Sequence, residues 1–125
     1  MLYTTYLARV KRIPEGVKKL FVVRIPPKHF NFEENKDIRH VPELSPTKTL
    51  LMHYKESEDW SYYTRRFKKE METRADMKKA LEELETDLKN GQDVCLICFE
   101  KDYKHCHRYL IAEKMMKKGF DWQEI

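Results

Sequence analysis

No apolar run in this chain is long enough to cross a bilayer, which excludes a helical membrane span on length alone. The amino-terminal stretch MLYTTYLARVKR lacks the charged-then-apolar layout of a signal peptide, so the expected location is cytoplasmic. Cysteine is scarce. Three thiols in such a compartment suit free thiols or ligands better than a disulfide framework. The chain also lacks zinc-finger spacing, an RNA-binding aromatic motif, heptads, internal repeats and a flexible linker, and no motif calls for a cofactor.

What is present fits one soluble domain over residues 1–125. Charged residues make up 37% and hydrophobic residues 41%, and the charges are mixed in sign, so a packed core is expected rather than disorder. The net charge of +4 mildly favours an anionic small molecule or nucleic acid as partner, and no membrane. Much of that excess sits in KK and RR pairs on predicted helices, where a solvated face is the simpler reading. The sequence sets no oligomeric state.

Leu2 to Val10 is rich in β-branched and aromatic residues and reads as a strand. Pro14-Glu15-Gly16 makes a turn. Lys19 to Ile25 reads as a second strand covered on both faces, ended by Pro26-Pro27. A polar loop follows, and Asp37 to Val41 reads as a short third strand. Ser45-Pro46 predicts a helix start, with serine as cap and proline at the first helical position. Asp59 opens a helix whose Trp60, Tyr63, Phe67 and Met71 make one stripe. Asp76 opens another, with Met77, Leu81, Leu84 and Leu88 inward and Asn90-Gly91 as its stop. Val94 to Phe99 is the clearest strand, a helix runs from His105 or Cys106 to Lys118, and Trp122 to Ile125 is a last strand. Strands separated by helices predict an α/β fold with a mainly parallel central sheet flanked by helices. In such sheets ligands gather beyond the carboxyl ends of the strands.

One such end holds CFEKDYKHCHR, residues 98–108. Cys98, Glu100, Cys106, His107 and Arg108 fall within it. Cys106 belongs to the first turn of the following helix, where unpaired amides and the macrodipole favour a thiolate. Cys106 is therefore the candidate nucleophile, with His107 or Glu100 as acid–base partner. Arg108 and Lys104 are candidate anion-binding residues, joined from the second strand's end by Arg24 and Lys28, and His29 lies on the same rim. Plainer roles stand beside these: Cys95 as a buried small hydrophobe, His107 as a cap, and Arg108 paired with Glu100 to hold the loop. A cysteine-phosphatase loop needs arginine six positions after the cysteine. Counting from Cys98 reaches Lys104, and from Cys106 it reaches Ala112, so that reading fails. A four-ligand zinc site fails because Cys95 and Cys98 face opposite sides of one strand. A smaller metal site of Cys98, Cys106 and His107, and a Cys98–Cys106 redox pair, stay open.

The same motif resembles the Cys-x-Glu-Lys…Cys-His-Arg signature of the family called domain of unknown function 488. YTTYLARVKRIP, VVRIPPKHF, ELSPTKTLLMHYK and CHRYLIAEKM resemble further segments of it, so the likeness spans the chain. Many members carry Gly-His near the first strand and Asp-Val-Arg on the second, where this chain has Tyr6-Leu7 and Val22-Val23-Arg24. The family's loop proline is absent, with Tyr103 near its place. The resemblance implies a small α/β domain and carries over Cys98, Glu100, Cys106, His107 and Arg108 as signature positions. It supplies no reaction. An enzyme acting on an anionic substrate (phosphorylated, nucleotide or nucleic acid), a non-catalytic binding module and a metal-binding protein are the three functions these residues allow.

Overall fold

A computed structural model describes residues 1–125. Five strands form one sheet: β1 (Leu2–Tyr6), β2 (Lys18–Phe21), β3 (Ile38–His40), β4 (Val94–Cys98) and β5 (Trp122–Glu124). Every pairing is parallel and the order is β3-β2-β4-β1-β5. Four helices complete the chain: α1 (Lys48–Ser57), α2 (Trp60–Thr73), α3 (Ala75–Lys89) and α4 (His107–Lys117). None of them is long and apolar enough to cross a membrane.

The central strand explains the layering. All five residues of β4 are buried, as its unbroken apolar run requires. Val94, Leu96 and Cys98 join the larger core, built with the inward stripes of all four helices. Cys95 and Ile97 point the other way, into a smaller core with Ile13, Val17, Phe21, Val23 and Ile38. The helices thus cover one face, while the other is covered by the β1–β2 and β2–β3 connections. Connections moving one way along the sheet run on one face and those moving the other way run on the opposite face. A single crossover hand demands that combination. The consequence is local: adjacent strands β2 and β4 send their chains to opposite faces, so a crevice opens beyond their carboxyl ends.

Several boundaries differ from those the sequence predicts, each for a tertiary reason. β1 stops at Tyr6, where its pairing with β4 ends at Tyr6↔Cys98. Leu7–Arg12 then forms a 3-10 turn, and Leu7 and Val10 pack on the smaller core. β2 stops at Phe21 because its pairing with β4 runs out there. The next carbonyls serve side chains instead, Val22 accepting from His107 and Val23 from His40. The cap of α1 is Thr47, whose Oγ1 accepts from the Leu50 amide at 3.3 Å. Ser45 is fully buried and its hydroxyl donates to the Pro42 carbonyl. Glu70 of α2 anchors this corner by accepting from the Thr47 amide (2.9 Å) and hydroxyl (2.7 Å). Asp59 caps α2 as its position predicts, and Tyr63, Phe67 and Met71 are buried. α3 begins at Ala75, one residue before Asp76, whose carboxylate pairs with Arg74.

The most demanding residue of the core is a charge. Arg108, in the first turn of α4, has no exposed surface. Its Nε and Nη2 donate to the two Glu124 carboxylate oxygens at 3.1 and 2.9 Å. Nη1 donates to the Glu100 carbonyl at 2.7 Å, and Nη2 also to the Lys101 carbonyl at 3.3 Å. Glu124 in turn accepts from the Thr4 hydroxyl at 2.6 Å. Glu124→Ala would leave a buried guanidinium without its counter-ion, and urea unfolding should show a loss of about 3–5 kcal/mol.

Candidate functional site

The crevice beyond β2 and β4 is a cavity of about 800 Å³. Val23, Arg24, Ile25 and Pro27 line it after β2, and Cys98, Phe99, Glu100 and Asp102 after β4. Tyr54, Trp60 and Tyr63 form an aromatic wall, with Trp60 and Tyr63 stacked at 5.0 Å and Tyr54 edge-on to Trp60 at 5.8 Å. His105, Cys106 and His107 close the floor. The volume suits a drug-sized ligand.

Cys106 is the N-cap of α4, and no side chain caps this helix end. Its sulfur stands where a serine or aspartate oxygen would normally serve the free amides. His107, the first residue of the helix, lies under the Phe67 ring at 5.7 Å. Its Nε2 faces the Val22 carbonyl, which can only accept, so the proton sits on Nε2. Nδ1 is left as a lone pair, 3.8 Å from Cys106 Sγ. Cys98 Sγ lies 3.5 Å from Nε2, and the ligand atoms of Cys98, Cys106 and His107 all fall within 4.8 Å of one another.

The two thiols are pushed in opposite directions. Burial opposes ionisation of Cys106, yet the Cys98 S–H, His107 and the Arg108 charge outweigh it and hold its pKa well below the ordinary thiol value. Cys98 rises well above it, first through burial and then through its hydrogen bond to Cys106 and the charge there. The two thiols therefore titrate as a pair, whose first proton leaves more easily than from an ordinary thiol and whose second leaves less easily. Cys95, on the opposite face, is pushed up to about 12, chiefly by burial. It is a buried small hydrophobe, as its place in the strand implies.

His105 escaped the sequence reading. Asp102 to His105 is a 3-10 turn in which residues three apart eclipse. His105 Nδ1 meets Asp102 Oδ2 at 2.7 Å, so Nδ1 carries a proton and Nε2 is free. The ring also stands edge-on to Trp60 at 5.4 Å. The Asp-x-x-His spacing, next to a cysteine, was the available signal. Asp102 is held below the usual carboxylate range by that bond to His105.

The proposed anion-binding residues are not gathered here. Arg108 does not line the cavity, and its donors are spent on Glu124 and two carbonyls. Its partner at Glu100 is the backbone carbonyl and not the carboxylate. Lys28, Lys104 and His29 are exposed and outside the lining. Arg24 does line it, with Nε donating to the Pro46 carbonyl at 3.0 Å. The lining therefore sets Arg24 and Lys55 against Glu58, Glu100 and Asp102. Tyr54 registers that balance: burial first, then the charges of Glu58, Glu100 and Asp102, raise its pKa.

The chain matches the family model DUF488-N3a, described as the active DUF488-N3 subclade, over residues 3–119, and it belongs to that family. No curated protein and no solved structure matches it.

Iodoacetamide alkylation of Cys106 should stay fast well below pH ~8.5, the ordinary thiol pKa. Cys98→Ala should shift the midpoint upward, because the strongest donor to the thiolate is gone. Rate–pH profiles with peptide mapping check both, and an unmoved midpoint would uncouple the thiols.

Proposed function

We propose that this member of the DUF488-N3a subclade is an enzyme that works by nucleophilic catalysis through the Cys106 thiolate. One observation carries the reading: a cysteine whose sulfur faces a histidine lone pair opens onto a cavity of substrate size. His107 takes the thiol proton through Nδ1, and its bond to Val22 fixes the tautomer that makes this work. His105, oriented by Asp102, is a second acid–base group: its free Nε2 can accept a proton, and the imidazolium so formed, held by the Asp102 carboxylate, can pass that proton to a leaving group. Glu100 lines the cavity as a further carboxylate. Arg108 acts through position and charge, since it holds the loop that carries these groups.

The substrate is a small organic molecule with a flat apolar portion to lie against Tyr54, Trp60 and Tyr63. An anionic group of low charge, such as a single phosphate, meets Arg24 and Lys55. The three carboxylates disfavour a densely charged polyanion such as a nucleic-acid backbone.

The test is a panel of aryl and phosphate esters with activated leaving groups, followed by intact mass and release of product. Turnover and a covalent adduct on Cys106 are expected, both abolished by Cys106→Ala. His105→Gln should lower the rate by about 10²-fold, most for poor leaving groups. Binding of a nucleoside monophosphate that survives Cys106→Ser, with no adduct and no turnover, would instead mark a binding module.

A second reading rests on the same three side chains. Zinc bound by a thiolate and an imidazole holds sulfur and nitrogen about 3.5–3.6 Å apart, close to the 3.8 Å between Cys106 and His107. Cys98 would be the third ligand, and the cavity would offer the open position. Elemental analysis of protein purified without a histidine tag decides: one equivalent of zinc favours the metal, and its absence with rapid alkylation favours the thiolate.

A further inference from the structure

Cys98 is a second thiol that nucleophilic catalysis at Cys106 does not consume. It ends β4, lines the same cavity as Cys106, and its sulfur lies within 4.8 Å of the other. Cys95 cannot compete for either, because it faces the smaller core across the sheet. Closure to a disulfide draws the two sulfurs closer than they stand as free thiols. A disulfide needs sulfurs about 2.05 Å apart. Cys106 precedes the helical turns of α4 at the end of a loop, so the remaining approach falls on the loop and on side-chain rotation. Cys98 is 1% and Cys106 3% exposed, so an oxidant reaches either sulfur only from the cavity that both line. The acidic lining also disfavours a bulky anionic disulfide.

We propose that Cys106 and Cys98 form a dithiol centre that reduces small hydroperoxides and closes as a Cys98–Cys106 disulfide. The proposal rests on the thiolate reading of Cys106 above. The Cys106 thiolate attacks the distal peroxide oxygen, the O–O bond breaks, and Cys106 becomes a sulfenic acid. The departing alkoxide takes the thiol proton held on His107 Nδ1 and leaves as the alcohol. The Cys98 sulfur then attacks the Cys106 sulfur, the S–OH bond breaks, and the hydroxyl leaves with the Cys98 proton as water. Two thiols and one hydroperoxide give one disulfide, one alcohol and one water.

Reduced protein is mixed with an equivalent of hydrogen peroxide without other thiols, and read by intact mass and peptide mapping. The expected product has lost the mass of two hydrogens, carries a Cys98–Cys106 link, and returns to the starting mass with dithiothreitol. Cys98→Ala should instead hold Cys106 as a sulfenic acid that dimedone traps, while Cys95→Ala should behave as the parent chain. A link through Cys95, a Cys106 that gains oxygen in the parent chain without a link, or an unchanged mass overturns the dithiol centre. If Cys106 is nonetheless alkylated rapidly at low pH, only the dithiol centre falls. If it also resists alkylation, the thiolate reading falls with it.

Discussion

The Arg108 guanidinium ties together the start of α4, strand β5 and the loop after β4. It has no exposed surface, and in such surroundings an unanswered charge is unaffordable. Glu124 answers it from β5, and the Glu100 and Lys101 carbonyls answer it from the loop after β4. Its pKa is raised despite burial, because the bonds to Glu124 and the nearby thiols outweigh desolvation. The pair is worth less as net stability than as specification. A well-packed apolar replacement could match its energy, but it would not hold two loop carbonyls in fixed directions. Those directions set where Cys98 ends and where Cys106 begins the next helix.

Given that frame, the chemistry follows from competition between burial and local donors. Burial alone would protonate both thiols, as it does for Cys95. Around Cys106 the Cys98 S–H, His107 and Arg108 are close enough to reverse the sign. Around Cys98 the same geometry adds to burial, since a thiolate next door repels a second one. The asymmetry needs no difference in exposure, because both sulfurs are almost wholly covered. It comes from neighbours: Cys106 has the Cys98 S–H and His107 beside it, whereas Cys98 has the charge of Cys106 beside it.

Much of this was legible in the sequence, and the failures share one cause. The unbroken apolar run from Val94 to Cys98 announces a central strand, and the Tyr63–Phe67–Met71 stripe announces a buried helix face, because both patterns are local. Strand ends are not local. β1 ends opposite Cys98 and β2 opposite Ile97, at the close of their neighbour β4, so Val10 and Ile25 could not be excluded from them by propensity. Ser45-Pro46 has the right residues for a helix start, but Glu70, far along the chain, secures Thr47 instead. Arg108 looked like an anion clamp because the sequence shows its charge and not its counter-ion on β5. The positions of Cys98, Cys106 and His107 could be argued from strand alternation and helix physics, but their mutual distances could not.

The two histidines that bracket Cys106 show why adjacency in sequence says little about role. His107 is buried, and both ring nitrogens are assigned by neighbours: Nε2–H to the Val22 carbonyl just past β2, Nδ1 to the Cys106 sulfur. It cannot turn without leaving a buried carbonyl unpaired, so the sulfurs within its reach are those of Cys106 at Nδ1 and Cys98 at Nε2. His105 is exposed, held at one nitrogen by Asp102, and is one of the residues that line the cavity. It can meet whatever enters. A helical phase change separates them, since the 3-10 turn ends at His105 and the α-helix begins at His107. Cys106 lies at that break in extended backbone. The contrast between a buried, fixed ring and an exposed one thus follows from where one helix type gives way to another.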